Sequence, residues 1–224
     1  MNLNIIEENT DFIIVYKPAN LATAPLKNDK KFTLTSEVAK KYPEIMAVNG
    51  FSPWEGGTVH RLDTATQGLV LIARTQTFFD FIQDQQKQGN FIKEYTANIQ
   101  HSLPEGESWP ACPYTVDMKQ FCMTSYFRAY GKHRAQVRPA LSINGKKVST
   151  SSYSTMINVI SPDVINCQIS LGFRHQIRCH LAWLSCPIKG DSLYNKENKQ
   201  GPLQLYCKKL FIPEYGVFIA PENL

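Results

Sequence analysis

The chain has 224 residues, of which 43% are hydrophobic and 19% charged, and its formal net charge is +5. This balance is typical of a globular protein with a substantial core, and it excludes a disordered or fibrous chain. No apolar run approaches the roughly 20 residues of a membrane-spanning helix, and the opening segment MNLNIIEENTD lacks a secretory pattern. We therefore expect a cytoplasmic protein with no membrane partner, whose six cysteines are reduced.

Five segments carry strand patterns. Apolar runs rich in β-branched residues predict strands at 11–17, 68–74, 91–100, 164–171 and 203–212, the last being the final long strand. Because these strands do not alternate regularly with helices, the pattern predicts an α+β fold. We expect a mixed, mainly antiparallel central sheet with flanking helices and loops.

Three segments carry helical patterns. The middle one has the clearest boundaries, since Thr77 and Asp80 have capping-box spacing and Gly89 lies at the expected end. The other two predicted helices cover 35–42 and the segment that follows Gly172 through Leu184.

A basic stretch lies in the second half of the chain. From Met118 to Pro162 there is no Asp or Glu, and aromatic residues are interleaved with basic ones. Cations neutralise phosphates and aromatic rings stack on bases, so this composition favours RNA binding. The alternative is a solvated surface that happens to lack acids. The basic residues are Lys119, Arg128, Lys132, His133, Arg134, Arg138, Lys146 and Lys147.

The segment GTVHRLDTATQGL at 57–69 places polar residues directly before a predicted buried strand. Asp63 stands at the edge of that strand, two residues after Arg61. A carboxylate at such an edge loses solvation, and a nearby cation compensates for the loss. Asp63 is therefore a candidate catalytic carboxylate. The alternative is an Asx-type turn, in which the Asp63 side chain accepts hydrogen bonds from backbone amides near Thr66.

The segment FIKEY at 91–95 carries a second candidate pair. Strand alternation puts Lys93 and Tyr95 on the same face. A tyrosine beside a lysine can serve as a general base or as a stacking platform. The alternative is a core tyrosine whose hydroxyl is hydrogen-bonded.

The segment LGFRHQIRCH at 171–180 carries a third candidate pair of residues. Arg174 and Arg178 are four residues apart near the start of a predicted helix, where they can hold phosphates or pair with a carboxylate. His175 and His180 are five apart with no acid between them, which does not favour a metal site.

Together these segments resemble the RluA-type RNA pseudouridine synthases. The sequence HRLDTATQGL at 60–69 is similar to that family's active-site motif. Five further segments match family motifs in the same order: YKP at 16–18, KEY at 93–95, GFRHQIRCH at 172–180, PIKGDSLY at 187–194 and PLQL through LF at 202–211.

The resemblance implies the pseudouridine synthase fold in a single catalytic domain over 1–224. It also implies isomerisation of a uridine in transfer or ribosomal RNA, with no metal and no small-molecule cofactor. Asp63 would attack carbon-6 of uracil or carbon-1 of ribose, or act as a base at the ribose 2′ position. Arg178 would pair with Asp63, and Tyr95 would stack on the uracil and take part in proton transfer. The residues expected to contact RNA are His60, Arg61, Lys93, Arg174, His175, Arg134 and Arg138.

The chain departs from the family pattern in three places. Gln67 stands where the family usually has Ser, and Phe173 replaces an arginine, with Arg174 one place further along. One residue rotates a helical side chain by about 100°, which leaves open whether Arg174 contacts the same phosphate. The stretch 118–150 is interpreted as a basic insertion or loop. We expect a monomer without the small N-terminal RNA-binding domain that many members carry, because the YKP motif comes early in the chain.

Two other classes of function stay open on the sequence. One is a non-catalytic RNA-binding protein that has kept the fold. The other is a hydrolase, such as a glycosidase or a phosphoesterase. A glycosidase usually needs two carboxylates that flank the scissile bond, and Asp63 has no acidic neighbour in its own motif. A metal-dependent phosphoesterase needs a cluster of ligands that the sequence does not display.

Overall fold

The computed structural model describes residues 3–27, 32–104, 106–142, 148–195, 197 and 201–222. These residues form ten strands and three α-helices, which confirms the predicted α+β class. In chain order the elements are β1 (Asn4–Glu8), β2 (Phe12–Lys17), α1 (Leu34–Lys41), β3 (Gln67–Ala73), α2 (Gln76–Lys87), β4 (Ile92–Asn98), β5 (Gln120–Tyr130), β6 (Gln136–Ala140), β7 (Tyr153–Ser161), β8 (Val164–Ile169), α3 (Gln176–Trp183), β9 (Leu205–Ile212) and β10 (Gly216–Ile219).

The chain folds into two compact units. Unit 1 comprises Met1–Lys93 with Tyr206–Leu224, and unit 2 comprises Glu94–Leu205. Strand β4 contains the point at which the chain passes from unit 1 to unit 2. The single catalytic domain over 1–224 stays a prediction. Within the described ranges, no helix is long and apolar enough to cross a membrane.

Unit 1 is built on strands in the order β1-β2-β3-β9, with β10 beside β9. The pairs are antiparallel except for β3 and β9, which are parallel, so the predicted mixed, mainly antiparallel pairing is confirmed. All six residues of β2 are buried: Phe12–Tyr16 is apolar in both of its alternating sets, and the charge of Lys17 is compensated by hydrogen bonds. The ring of Phe12 stacks on Phe78 of α2 with centroids 4.8 Å apart, and this contact fixes the helix on the sheet.

Unit 2 has the strand order β4-β8-β7-β5-β6, and the pairs within β5 to β8 are antiparallel. Helix α3 lies in its core, since all eight of its residues are buried. A polar side chain in such a helix needs a hydrogen-bond partner. The His180 ring supplies an example: it contacts the hydroxyls of Ser125 and Thr155, each at 2.9 Å.

The sequence located five of the ten described strands, β2, β3, β4, β8 and β9, and missed β1, β5, β6, β7 and β10. The predictions at 11–17, 68–74, 91–100, 164–171 and 203–212 are confirmed to within two residues at each end. The prediction that 203–212 is the final long strand is confirmed as β9, and the short strand β10 follows it and pairs with it. β10 has four residues, of which three are exposed, so it shows neither a long apolar run nor a buried alternation.

The helices begin at other residues than predicted, while the end of α2 is confirmed. Thr75 caps α2 by accepting a hydrogen bond from the Phe78 amide, so the predicted cap at Thr77 and Asp80 is wrong. Thr75 still has the extended backbone that a cap requires, whereas Thr77 lies within the helix. Gly89, with a φ of 83°, follows the last turn as predicted. Helix α1 is shifted by one residue from 35–42, and α3 starts at Gln176.

The basic stretch 118–150 contains regular strands as well as loop. β5 and β6 pair antiparallel within it, with Arg128 opposite Arg138. Interleaved basic side chains do not prevent strand pairing, because on β5 buried residues alternate with residues that are less buried. The interpretation as a loop is therefore wrong for the two strands. Whether the stretch is an insertion stays a prediction, and Lys146 and Lys147 lie outside the described residues.

Candidate active site

Asp63 lies in a turn whose two neighbouring residues are held by distant side chains. The Thr66 amide donates to the main-chain oxygen of Asp63 at 3.0 Å, which closes the turn through the backbone. The Thr23 hydroxyl accepts from the Leu62 amide at 3.1 Å and donates to the Leu62 carbonyl at 2.8 Å. The ammonium of Lys17 donates to the Thr64 carbonyl at 3.1 Å. The backbone on both sides of Asp63 is thus fixed, and its side chain is half-buried.

Lys17 contacts the turn that carries Asp63, and the sequence assigned it no role. It is fully buried, and besides Thr64 its ammonium donates to the carbonyls of Pro18 and Leu21 at 2.9 and 2.7 Å. Desolvation lowers the pKa of Lys17 to about 8, and the nearby charge of Asp63 opposes the shift. The signal in the sequence was a lysine that ends an apolar strand just before a proline. Thr23, in contrast, gave no signal.

His60 does not provide a positive charge at neutral pH. Its ring is buried, and its Nε2 accepts a hydrogen bond from the Leu71 amide at 3.1 Å. Burial, together with the charge of Lys93, lowers the pKa of His60 to about 3. A contact between His60 and RNA stays a prediction, and it would use a neutral imidazole.

Arg61 is the exposed residue of the HRLD segment. Its guanidinium lies 3.5 Å from a carboxylate oxygen of Glu55, and the Glu55 side chain is 5% exposed while that of Arg61 is 59% exposed. The ion pair anchors one end of an otherwise solvated side chain. Such a side chain can swing into the space that a flipped base leaves.

The predicted alternation along β4 is confirmed. Lys93, Tyr95 and Ala97 are buried, and the residues between them are partly exposed. The Lys93 ammonium lies 4.3 Å from the centroid of the Phe91 ring, which contributes a cation–π interaction. Desolvation lowers the pKa of Lys93 to about 7. Lys93 is therefore near the midpoint of its titration at neutral pH, whereas an ordinary lysine is fully charged.

Arg178 is held by Asp191. The guanidinium donates to both carboxylate oxygens, at 2.7 Å from Nε and 2.8 Å from Nη2, and both side chains are buried. Oδ1 of Asp191 also accepts from the amides of Leu193 and Tyr194 at 2.9 and 3.1 Å. This planar, two-point contact fixes the direction of the guanidinium. Asp191 belongs to the PIKGDSLY segment, where the sequence gave it no role. The pairing of Arg178 with Asp63 stays a prediction.

The departures at 173 and 174 have a structural explanation. Phe173 stacks on Phe127 with centroids 5.0 Å apart and an interplanar angle of 6°, so it packs against the core of unit 2. Arg174 is exposed, and its Nη2 donates to the carbonyls of Arg134 and Gln136 at 2.6 and 3.1 Å. Next to it, the ring of His175 contacts the Tyr194 hydroxyl at 3.3 Å. His175 precedes α3 with a φ of 56°, in the left-handed region.

Arg134 and Arg138 differ in their surroundings. Arg134 is exposed, but Arg138 is 2% exposed, and its guanidinium carbon lies 4.0 Å from the ring centroid of Trp109 and 4.1 Å from that of Tyr130. Burial lowers the pKa of Arg138, although an arginine keeps its charge at physiological pH. A cavity of about 110 Å³ is lined in part by Trp109, Tyr130 and Arg138. Contact with RNA stays a prediction for both arginines, and Arg134 is the one open to a phosphate at the surface.

Metal ligands are not grouped in the described part of the chain. No set of three or more His, Cys, Asp or Glu residues there is close enough to hold an ion. The predicted independence from metal stays a prediction.

The family model of RNA pseudouridylate synthases matches residues 11–183. The chain belongs to this family. The match contains Asp63, Tyr95 and Arg178, and it confirms the resemblance to the RluA-type pseudouridine synthases.

Curated members of the family are similar along most of the chain. Ribosomal large subunit pseudouridine synthase D of Xylella fastidiosa is 28% identical over 193 residues, which cover 86% of this chain and 51% of the relative. The protein of the same name from Haemophilus influenzae is 29% identical over 196 residues, or 86% of this chain and 52% of the relative. The chain thus spans about half the length of the curated relatives it matches.

Two solved structures share the fold. Human RNA pseudouridylate synthase domain containing 1 aligns with a TM-score of 0.70 and 19% identity, over 99% of this chain and 84% of that one. Human RNA pseudouridylate synthase domain containing 4 aligns with a TM-score of 0.68 and 17% identity, over 98% of this chain and 89% of that one. The predicted pseudouridine synthase fold is confirmed.

Proposed function

We propose that this chain is an RNA pseudouridine synthase, an isomerase that converts a uridine in RNA to its C-glycoside with Asp63 as the catalytic carboxylate. The family match over residues 11–183 carries the proposal. The structure of unit 1 supports the role of Asp63, because Thr23 and Lys17 fix the backbone beside a half-buried carboxylate. A fixed nucleophile or base is what preorganised catalysis needs.

The other roles follow from the chemistry of each side chain. The glycosidic nitrogen–carbon bond breaks, the uracil rotates, and a carbon–carbon bond forms at carbon-5, which then loses its hydrogen as a proton. Tyr95 would stack on the uracil and take part in that proton transfer. Arg178 would hold the carboxylate of Asp63 in its ionised form, and Arg61 would fill the space left by the flipped base. No metal or small-molecule cofactor enters these steps.

Ribosomal RNA is the substrate we propose to test before transfer RNA. The curated relatives in Xylella fastidiosa and Haemophilus influenzae are named for the large ribosomal subunit. A cytoplasmic monomer that meets this RNA directly is part of the same proposal.

The decisive experiment measures tritium released to water from RNA labelled at carbon-5 of uracil, with a chelator present. We expect release by the wild-type protein and a loss of at least about a thousandfold in Asp63→Asn, because the amide is neither nucleophile nor base. The matched control is Asp84→Asn on α2, whose carboxylate is exposed and pairs with Lys87. This control should retain the wild-type rate.

Turnover by a folded Asp63→Asn protein would overturn the role of Asp63. An activity that disappears with the chelator would favour a metal-dependent enzyme. Tight RNA binding without release from ribosomal or transfer RNA would favour the non-catalytic binding protein.

A further inference from the structure

The five residues Gly131–Ala135 join β5 to β6, and we call them the basic turn. All five are exposed, and three of them are the basic residues Lys132, His133 and Arg134. His133 and Arg134 have φ values of 54° and 57°, and Gly131 has a φ of 78°. Left-handed backbone at two successive residues with side chains costs free energy. Two backbone hydrogen bonds within the turn oppose this cost: the Arg134 amide donates to the Gly131 carbonyl and the Ala135 amide to the Lys132 carbonyl, each at 3.1 Å.

Arg174 adds contacts to the turn from outside it. Its Nη2 donates to the Arg134 carbonyl at 2.6 Å and to the Gln136 carbonyl at 3.1 Å, at the end of the turn and the start of β6. These hydrogen bonds connect residues 40 and 38 positions apart in the sequence. A charged donor strengthens both bonds.

Arg174 is itself placed by a rigid neighbour. Phe173 packs between Phe127 and Tyr153, with ring centroids 5.0 Å from each, and the buried helix α3 begins two residues after Arg174. The aromatic residue that replaces the family's arginine therefore anchors the chain, and the arginine one place later extends to the basic turn. The two departures from the family pattern, Phe173 and Arg174, thus act together: the ring fixes the chain and the guanidinium holds the turn.

The surroundings of the basic turn favour an anionic polymer. The stretch from Met118 to Pro162, which includes the turn, has no Asp or Glu. On the strands that the turn connects, Arg128 and Arg138 stand opposite each other. Exposed cations on a fixed backbone, with no acid in the same stretch, suit the regularly spaced phosphates of RNA.

We infer that the basic turn binds the phosphate backbone of the RNA substrate, and that Arg174 holds the turn in its binding conformation. This inference rests on the proposed function and adds to it a contact surface in unit 2. Lys132 and Arg134 make the phosphate contacts. Arg174 is a positioning residue that acts through the turn.

The test measures the dissociation constant for deproteinised large-subunit ribosomal RNA at several KCl concentrations. The double variant Lys132→Ala with Arg134→Ala should bind about tenfold more weakly, and the slope against log salt should fall by about 1.5. Arg174→Ala alone should weaken binding about fivefold. Added to the double variant, it should change binding by less than about twofold, because the contacts it positions are already absent. Lys87→Ala, an exposed lysine on α2, is the control and should bind as wild type.

Two outcomes would overturn the inference. An unchanged salt slope in the double variant would remove the turn from the RNA interface, and its side chains are exposed, so that variant should fold. A full, additive loss from Arg174→Ala on the double background would make Arg174 a direct contact. Tritium release is measured in parallel on the wild type and Asp63→Asn. If the wild type releases tritium and Asp63→Asn does not, while the turn variants bind RNA normally, the inference alone fails. If the wild type releases nothing, the proposed function fails.

Discussion

At the scale of single residues, the ion pair of Arg178 with Asp191 connects folding to the proposed chemistry. Both side chains are buried, so each charge depends on the other for the solvation it has lost. Asp191 is in turn fixed by two backbone amides. The direction of the Arg178 guanidinium is therefore set by Asp191 and does not depend on bound RNA.

Asp191→Asn should impair catalysis more than RNA binding. The asparagine oxygen can still accept from the Leu193 and Tyr194 amides, but the charge opposite Arg178 is lost. We expect kcat to fall about a hundredfold with KM nearly unchanged, because misplacement of an aimed group acts on the transition state. The free energy of unfolding should fall by about 3 kcal/mol. Tritium release and urea denaturation measure these changes.

Asp163→Asn is the matched control for that prediction. Its carboxylate is 63% exposed and lies 3.6 Å from the Lys189 ammonium. An exposed pair of this kind contributes less than about 1 kcal/mol, so rate and stability should stay close to wild type. Equal losses in kcat and RNA affinity for Asp191→Asn would show that Asp191 supports the fold and does not position Arg178.

At the scale of elements, the parallel pairing of β3 with β9 depends on a glycine. Gly68 is opposite Cys207 and has a φ of 122°, which residues with a side chain rarely adopt. A Cβ at Gly68 would lie 2.3 Å from the Cys207 carbonyl oxygen and 2.5 Å from its nitrogen. The backbone of β9 fills the space, so the close approach of the two strands requires glycine.

Gly68→Ala should separate β3 from β9. Strain and overlap together should lower the free energy of unfolding by about 3 kcal/mol or more. Gly216→Ala is the control within unit 1, because Gly216 has a φ of 101° and no atom within 4 Å of its built Cβ. That variant should show the backbone strain without the overlap. Urea unfolding compares the two, and equal losses would mean that the contact with Cys207 is unimportant.

At the scale of the whole molecule, buried lysines make stability depend on pH. Lys93 has a pKa of about 7 in the folded chain and 10.5 in the reference state. Between these values the unfolded chain binds more protons, so this contribution to stability rises as the pH increases. Below about pH 7 the folded protein bears the full cost of a charged, buried lysine.

Lys93→Met should therefore be more stable than the wild type, and the difference should be largest at low pH. The difference in unfolding free energy between the variant and wild type should shrink by about 2 kcal/mol from pH 7 to pH 9. Other titrating groups, including Lys17 with its pKa of about 8, are common to both proteins and cancel. Lys87→Met, at an exposed site, should show no such pH dependence. A constant difference for Lys93→Met would mean that Lys93 titrates alike in both states.

The sequence by itself determined the features that depend on local patterns. Alternation placed Lys93 and Tyr95 on one buried face of β4, apolar runs located five of the ten described strands, and contiguous motifs identified the family. Each of these signals lies within a dozen or so residues, where side-chain period and backbone preference decide the outcome.

Only the tertiary structure decided which distant groups meet. Lys17 reaches the carbonyl of Thr64 across 47 positions, Arg174 reaches that of Arg134 across 40, and Asp191 accepts from Arg178, which lies in a different sequence motif. Such contacts are set by packing of strands and helices that are far apart in the chain, and residue type alone does not specify the acceptor of a buried cation. The sequence proposed Arg174 as a phosphate contact, which stays a prediction, and the fold adds that its guanidinium donates to the basic turn.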